Sequence, residues 1–262
     1  MSDAPADSVT RTPLIAGNWK MNGFKGEGET LAAAIADDAG ALDNNACEIL
    51  ICPPVTLLSR VRETIAGRTM LGAQDCAIEQ SGAFTGDISA EMLADVGCSH
   101  VIVGHSERRI NHQDHDKIVR AKAEAAHRAR LTAIICIGET EAEREAGVLR
   151  EVLARQLTGS LPPEATPENT VIAYEPVWAI GTGKVASEED ILAVHAFIRE
   201  GLLALKGPTG EGFRILYGGS VKPDNAAEIL ALDNVDGALV GGASLNADDF
   251  WAIIEACTGL EA

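Results

Sequence analysis

Two hydrophobic periods alternate along the chain. Short, nearly continuous apolar runs recur at Leu14–Trp19, Glu48–Cys52, Met70–Ala73, Val101–Val103, Thr132–Ile137, Val171–Tyr174, Phe213–Tyr217 and Ala238–Val240. Runs of this length without polar alternation predict strands covered on both faces. Between them the apolar positions take helical spacing. Leu31, Ile35, Ala39 and Leu42 mark one face, Leu149, Val152, Leu153, Gln156 and Leu157 a second, and Ile191, Val194, Ile198, Leu202 and Leu205 a third. Thr140 with Glu143, Ser187 with Asp190 and Asn246 with Asp249 have N-cap and N3 spacing, and Gly40, Gly67 and Gly97 stand where helices should stop.

Eight strands alternating with helices predict a parallel sheet buried on both sides, and eight such units in 262 residues favour closure into a single α/β barrel of the (β/α)8 type. An open doubly wound sheet fits less well, because the first strand runs into GNWKMNG and not into a G-x-G-x-x-G turn. No linker or low-complexity tract divides the chain. Positions 1–11 read as a frayed polar extension and 12–262 as one barrel domain, with Pro162–Pro163 and Pro208–Gly210 as loops at its bottom.

Charge narrows the partners. Lys and Arg total 21 against 39 Asp and Glu, a formal charge of −18. That balance argues against nucleic acid and against anionic membrane surfaces. An anionic substrate then has to be held by local devices, such as helix-start amides or one placed lysine. Six cysteines lie scattered without zinc-ligand spacing, which suggests a reducing cytoplasm. The first residues carry Asp3 and Asp7 and do not read as a signal peptide, and no segment approaches the ~20 apolar residues of a membrane span.

In a barrel of this kind the chemistry collects at the C-terminal ends of the strands. There the sequence offers Asn18 and Lys20 after the first run, His105 after the fourth, Glu175 after the sixth, Gly218–Ser220 after the seventh and Gly241–Gly242 after the eighth. His100 opens the fourth run and His105 closes it, so only His105 faces this rim. Glu175 reads equally as a desolvated base with a raised pKa or as a rim carboxylate in a salt bridge. His105, followed by SERR, reads as an imidazole kept neutral by helix-start amides or as a satisfied core histidine. Lys20 is either a charge aimed at an oxyanion or phosphate or a surface lysine; following a buried strand directly favours the former.

AIGTGK at 179–184 fails the Walker pattern and suits a lid, whereas YGGSV and VGGASL fit a barrel phosphate site. His112 and His115 read as a solvated helix face, Lys117, Arg120 and Lys122 as the same solvated surface, and Phe250 and Trp251 as core. No residue set has metal-ligand geometry, so neither metal nor organic cofactor is expected.

The motifs AGNWKMNG at 16–23, GAFTGDIS at 82–89, VGHSERR at 103–109, AYEPVWAIGTGK at 173–184, YGGSV at 217–221 and VGGASL at 240–245 are together highly specific. From Leu14 to about Cys257 the chain resembles the triosephosphate isomerases. That family is itself a standard example of pKa tuning and lid closure, so the roles that follow come from the resemblance. It implies interconversion of dihydroxyacetone phosphate and D-glyceraldehyde 3-phosphate, a step of glycolysis and gluconeogenesis. Glu175 is the implied base, His105 the neutral electrophile, and Asn18 and Lys20 the groups that stabilise the enediolate. Gly181, Ser220, Gly241 and Gly242 are implied to grip the phosphate, Ser106 and Glu107 to support His105 and Lys20, and segment 176–184 to be the lid.

A cytoplasmic homodimer is also implied, with Gln74–Asp87 reaching into the partner, Thr85 touching the neighbouring site and Met21 near that contact. Asp87 stands where glutamate is commoner and shortens a side chain expected to pair with Arg108. Val185 and Ser187 give the lid's second hinge a less usual sequence. Two other classes remain open: a Schiff-base aldolase using Lys20, Lys184 or Lys222, and a non-catalytic binding protein on the same fold.

Overall fold

All eight apolar runs form strands. The computed structural model describes residues 10–39, 46–179 and 185–259. Among them β1 (Leu14–Asn18), β2 (Glu48–Cys52), β3 (Met70–Ala73), β4 (His100–Val103), β5 (Thr132–Ile137), β6 (Thr170–Tyr174), β7 (Ile215–Tyr217) and β8 (Gly237–Val240) pair in parallel, and β8 closes back on β1. Asn18 lies opposite Cys52 and Ile137 opposite Tyr174, so the residues just beyond these pairs emerge at the same end.

Closure divides the core into two layers. Leu14, Ala16, Leu50, Ile102, Ile134, Val171, Ala173 and Leu216 fill the barrel interior. Ile15, Ile49, Val101, Ile135, Ile172 and Ile215 point outward against the helices. Successive side chains on one strand therefore enter different apolar layers, which is why the runs lack polar alternation.

The helical faces bury as their spacing requires: Ile35 in Lys25–Ala39, Val152, Leu153 and Leu157 in Leu149–Ser160, and Ile191, Val194, Ile198 and Leu202 in Glu188–Lys206. Leu31 is half-buried and Leu205, in the last turn of its helix, is exposed; Gly40 and Leu42 lie outside the described residues. All three N-caps form, and Thr140 with Glu143 makes the full reciprocal box. Such a cap is worth ~1 kcal/mol. Gly97 ends its helix in the left-handed region, but the helix Leu58–Ile65 stops on Ala66 at φ 49°, one residue before Gly67. Pro208–Gly210 belong to a 3-10 turn over Gly207–Gly212.

Three expectations for the segment after His105 need correction. Lys122 is not on a solvated surface: it is buried, with Nζ 2.9 Å from Asp75 and 2.7 Å from Asp114. It sits three residues after Val119 and four before Ala126 in Asp116–Arg128, on the inward stripe, and the two carboxylates compensate its charge. Arg120 is half-buried, its guanidinium on the Thr158 carbonyl, while Lys117 is exposed. His112 and His115 are exposed, but they flank a turn between two helices and share no helix face. Phe250 is fully buried; Trp251 is half-buried and donates to Glu255 at 3.1 Å.

At the bottom of the barrel buried Arg199 pairs with Asp236 at 2.9 Å and donates to the carbonyls of Gly210 and Phe213. Asp236 also accepts from the Ile215 amide at 2.8 Å and from Arg11 at 2.6 Å. Arg11, assigned by the sequence to the extension, is thus tied to the barrel; residues 1–9 lie outside the described residues. Removing one partner leaves an uncompensated buried charge. Arg199→Ala is expected to lower the unfolding free energy by ~3–5 kcal/mol in urea titration; a loss below ~1 kcal/mol would mean the network is not the clamp its geometry describes.

Candidate active site

Gly104 follows β4 at φ 69°, and a Cβ there would come within 2.7 Å of Val119. A residue with a side chain fits neither the backbone nor the space. This turn delivers His105 as the N-cap of the helix Ser106–Asn111, its Nδ1 accepting from the Glu107 amide at 3.2 Å. Arg109 fixes the turn by donating to the carbonyls of Gly104 at 2.9 Å and Cys136 at 3.0 Å, which bridges the ends of β4 and β5.

Glu175 follows β6 and is buried. Its carboxylate lies 2.9 Å from His105 Nε2 and accepts from the Ser106 amide at 2.9 Å and the Ser106 hydroxyl at 3.1 Å. Gly138 makes room for this segment, since a Cβ there would fall 1.8 Å from the Glu175 carbonyl oxygen. Gln156 holds Gly138 by both amide atoms, at 2.7 and 3.0 Å, which explains a polar residue on a buried helix face.

Lys20 has φ 50°, a left-handed conformation costing ~1–2 kcal/mol in a residue with a Cβ. Three contacts offset that cost. The Lys20 amide donates to Asn18 Oδ1 at 3.0 Å, its carbonyl accepts from Gln74 Nε2 at 2.8 Å, and its ammonium lies 2.7 Å from Glu107. Gln74 also donates to the Cys52 carbonyl at 2.9 Å, so one amide group joins the ends of β1 and β2. Gln74 and Glu139 escaped the sequence reading as site residues, yet each follows a strand end, β3 and β5, where the rule used for the other strands would have found them. Buried Glu139 accepts from Tyr174 at 3.2 Å and from Trp178 Nε1 at 2.8 Å, with Arg144 stacked 4.4 Å from the Trp178 ring. The approach to the expected lid is thereby anchored.

Asn18, Lys20, His105, Glu175, Ser220, Gly241 and Gly242 line one cavity of about 390 Å³. Gly181 and Lys184 lie outside the described residues. Ser106 is buried against Glu175, whereas Glu107 is exposed and borders the adjoining groove. Thr85 and Met21 are exposed, and Met21 borders an adjoining groove of about 750 Å³ shared with Lys20 and His105. Within the chain Arg108 pairs with Asp75 at 2.9 Å and Asp114 at 3.0 Å, while Asp87 is exposed.

Of the two readings of Glu175, this arrangement gives the paired carboxylate and not the raised pKa. Burial pushes its carboxyl up, but His105 and the two Ser106 donors outweigh burial and hold it below the usual range. Burial likewise pushes the His105 imidazole down, and the Glu175 carboxylate beside it reverses the sign, so the ring sits above its ordinary value. In the neutral ring the Glu107 amide contact fixes the tautomer, with Nδ1 unprotonated and the proton on Nε2, facing Glu175.

A family model described as triosephosphate isomerase matches residues 13–257. The chain is 58% identical over 246 residues to the triosephosphate isomerase of Afipia carboxidovorans, spanning 94% of this chain and 97% of that protein. It is 55% identical over 252 residues to that of Rhizobium meliloti, spanning 95% and 98%. Among solved structures it is similar to the crystal structure of triosephosphate isomerase from Bartonella henselae, with a TM-score of 0.85, 50% identity, and 93% and 98% of the two chains covered.

Nitrogen NMR of the His105 ring should show a charged form persisting to higher pH than in an ordinary histidine. In Glu175→Gln the titration should move below the ordinary range, because burial then acts without the carboxylate; identical titrations would remove Glu175 as the ring's partner. Gln74→Ala, which leaves the Lys20 carbonyl without its donor, should lower kcat about tenfold with a smaller change in KM; a kcat within about twofold of wild type would deny Gln74 a positioning role.

Proposed function

The chain belongs to the triosephosphate isomerase family, and from that premise we propose how its own residues carry the reaction. The protein is a glycolytic isomerase that interconverts dihydroxyacetone phosphate and D-glyceraldehyde 3-phosphate. One proton leaves a carbon, one arrives at its neighbour, and the carbonyl exchanges places with the hydroxyl.

The contact of His105 with Glu175 in the wall of a small cavity carries our reading of the site. Substrate entering that cavity displaces the carboxylate from His105 and Ser106. The freed carboxylate stays desolvated but loses its donors, so its pKa rises toward that of a base matched to neutral pH. Glu175 then takes the carbon-bound proton and returns it to the adjacent carbon. His105, released from the carboxylate that raised its pKa, donates from Nε2 to the carbonyl oxygen and passes protons between the two oxygens.

An enediolate adds negative charge beside a phosphate already bearing two, so preorganised donors have to meet it. Lys20 and Asn18 are the groups in reach, Lys20 already fixed by Glu107 and Gln74. Ser220, Gly241 and Gly242 offer small, amide-rich positions for the phosphate at the ends of β7 and β8, with Gly181 of the lid completing that set. Closing over the enediolate also protects it from loss of phosphate.

The partner is a second copy of this chain. In support, Met21, which lines the adjoining groove, and Phe84, next to Thr85 in the chain, are exposed apolar side chains. A cytoplasmic setting agrees with six cysteines that are all buried and form no disulfide. Among the described residues no helix is long and apolar enough to cross a membrane.

A coupled assay of glyceraldehyde 3-phosphate isomerisation tests the base directly. Glu175→Asp should lower kcat far more than it raises KM, since one methylene fewer withdraws the base from its proton; an unimpaired Glu175→Asp enzyme would take the base role from Glu175. Thr85→Arg should weaken self-association in sedimentation and lower activity in parallel. A fully active monomer would refute the dimeric site.

A further inference from the structure

Besides Lys20, a second lysine lines the cavity: Lys222, in the loop that leaves β7. Its backbone N–H donates to Asn225 Oδ1 at 2.8 Å, and Asn225 Nδ2 donates to the Ser220 carbonyl at 3.1 Å. One side chain thus fixes the loop from Ser220 to Lys222 at the mouth. Lys222 is exposed, and among the described residues it has no ion-pair partner. Lys20, in contrast, has its ammonium 2.7 Å from Glu107, and the cavity's one carboxylate among the described residues, Glu175, is held by His105 and Ser106.

These two lysines face an electrostatic problem set by the whole chain. A phosphate dianion approaches a protein of formal charge −18 against a repulsive field. That repulsion comes from charges spread over the surface and acts at long range, whereas a cation at the mouth acts at short range. The two respond differently to salt, because the screening length shrinks from ~30 Å at 0.01 M to ~8 Å at 0.15 M.

We propose that Lys222 is the unpaired cation that admits the substrate's phosphate, drawing the dianion to the mouth and so setting kcat/KM, while Glu175, His105 and Lys20 perform the chemistry. A fixed loop makes the charge local and directed, and an exposed side chain can follow the phosphate inward. Lys222 also favours phosphorylated over unphosphorylated trioses, because only the former carry the dianion it attracts. The inference rests on the reading that Ser220, Gly241 and Gly242 receive the phosphate.

The test compares wild type, Lys222→Gln and Lys222→Arg across ionic strengths from ~0.01 M to ~0.3 M, with inorganic phosphate as a competing ligand at constant ionic strength. Wild-type kcat/KM should fall as salt rises. Lys222→Gln should be roughly three- to tenfold lower at low salt, mostly through KM, with a flattened or inverted salt slope. At high salt the two should converge within about twofold, and Lys222→Arg should follow wild type throughout. A Lys222→Gln enzyme with the wild-type slope, or one equally impaired at every salt, would overturn the proposal. Inorganic phosphate that competes in wild type while Lys222→Gln keeps the wild-type salt slope would overturn the role of Lys222 alone. Phosphate that fails to compete in wild type would overturn the phosphate reading and this inference with it.

Discussion

A buried carboxylate and a buried imidazole share a hydrogen bond of 2.9 Å, and the closure of the barrel is what lets them meet. Neither group has a favourable place to be charged on its own. Burial drives Glu175 toward its neutral acid and His105 toward its neutral ring, and their proximity opposes both tendencies. The pair therefore stores a base in a form that is ionised and restrained. Anything that parts the two groups changes both protonation equilibria at once, in the directions proton transfer at neutral pH requires. The chemistry follows from this exchange of partners and needs no unusual intrinsic acidity.

The rest of the structure holds the two groups at that distance while leaving the cavity open. Arg109 bridges the ends of β4 and β5 behind His105. Gln156 pins Gly138, against which the Glu175 backbone passes. Gln74 secures Lys20 in a conformation it would not adopt unaided. These are side-chain-to-backbone contacts at strand ends, where the ladder stops supplying partners for the last carbonyls and amides. Polar side chains buried for such bonds cost little if every donor and acceptor is matched, and each of these is matched by more than one contact.

Much of this was legible in the chain, and the remainder failed for identifiable reasons. All eight strands were readable because each enters two apolar layers and so shows an unbroken apolar run. Glu175, His105, Lys20 and Asn18 were readable because parallel closure sends every strand end to one rim. Lys122 was misread because its charge was weighed above its position three residues after Val119, and the carboxylates that neutralise it, Asp75 and Asp114, lie on other segments. Gln74 and Glu139 were passed over although they too follow strand ends, since a residue that bonds backbone or a lid tryptophan carries no reactive group to draw notice. The sequence left the two readings of Glu175 level, because the choice depends on His105 first and then on Ser106 donors that only the packed turn aims at it.

The central claim is that Glu175 is restrained in the free protein and becomes a stronger base when substrate parts it from His105 and Ser106. Carbon NMR titration of the Glu175 carboxyl reads this directly, in the free protein and in protein saturated with an unreactive phosphate-bearing analogue of the triose. The account predicts a carboxyl that titrates below the ordinary glutamate range when free and well above it when the analogue is bound. The same low titration in both states would contradict it, leaving Glu175 a structural partner of His105 and the base still to be found.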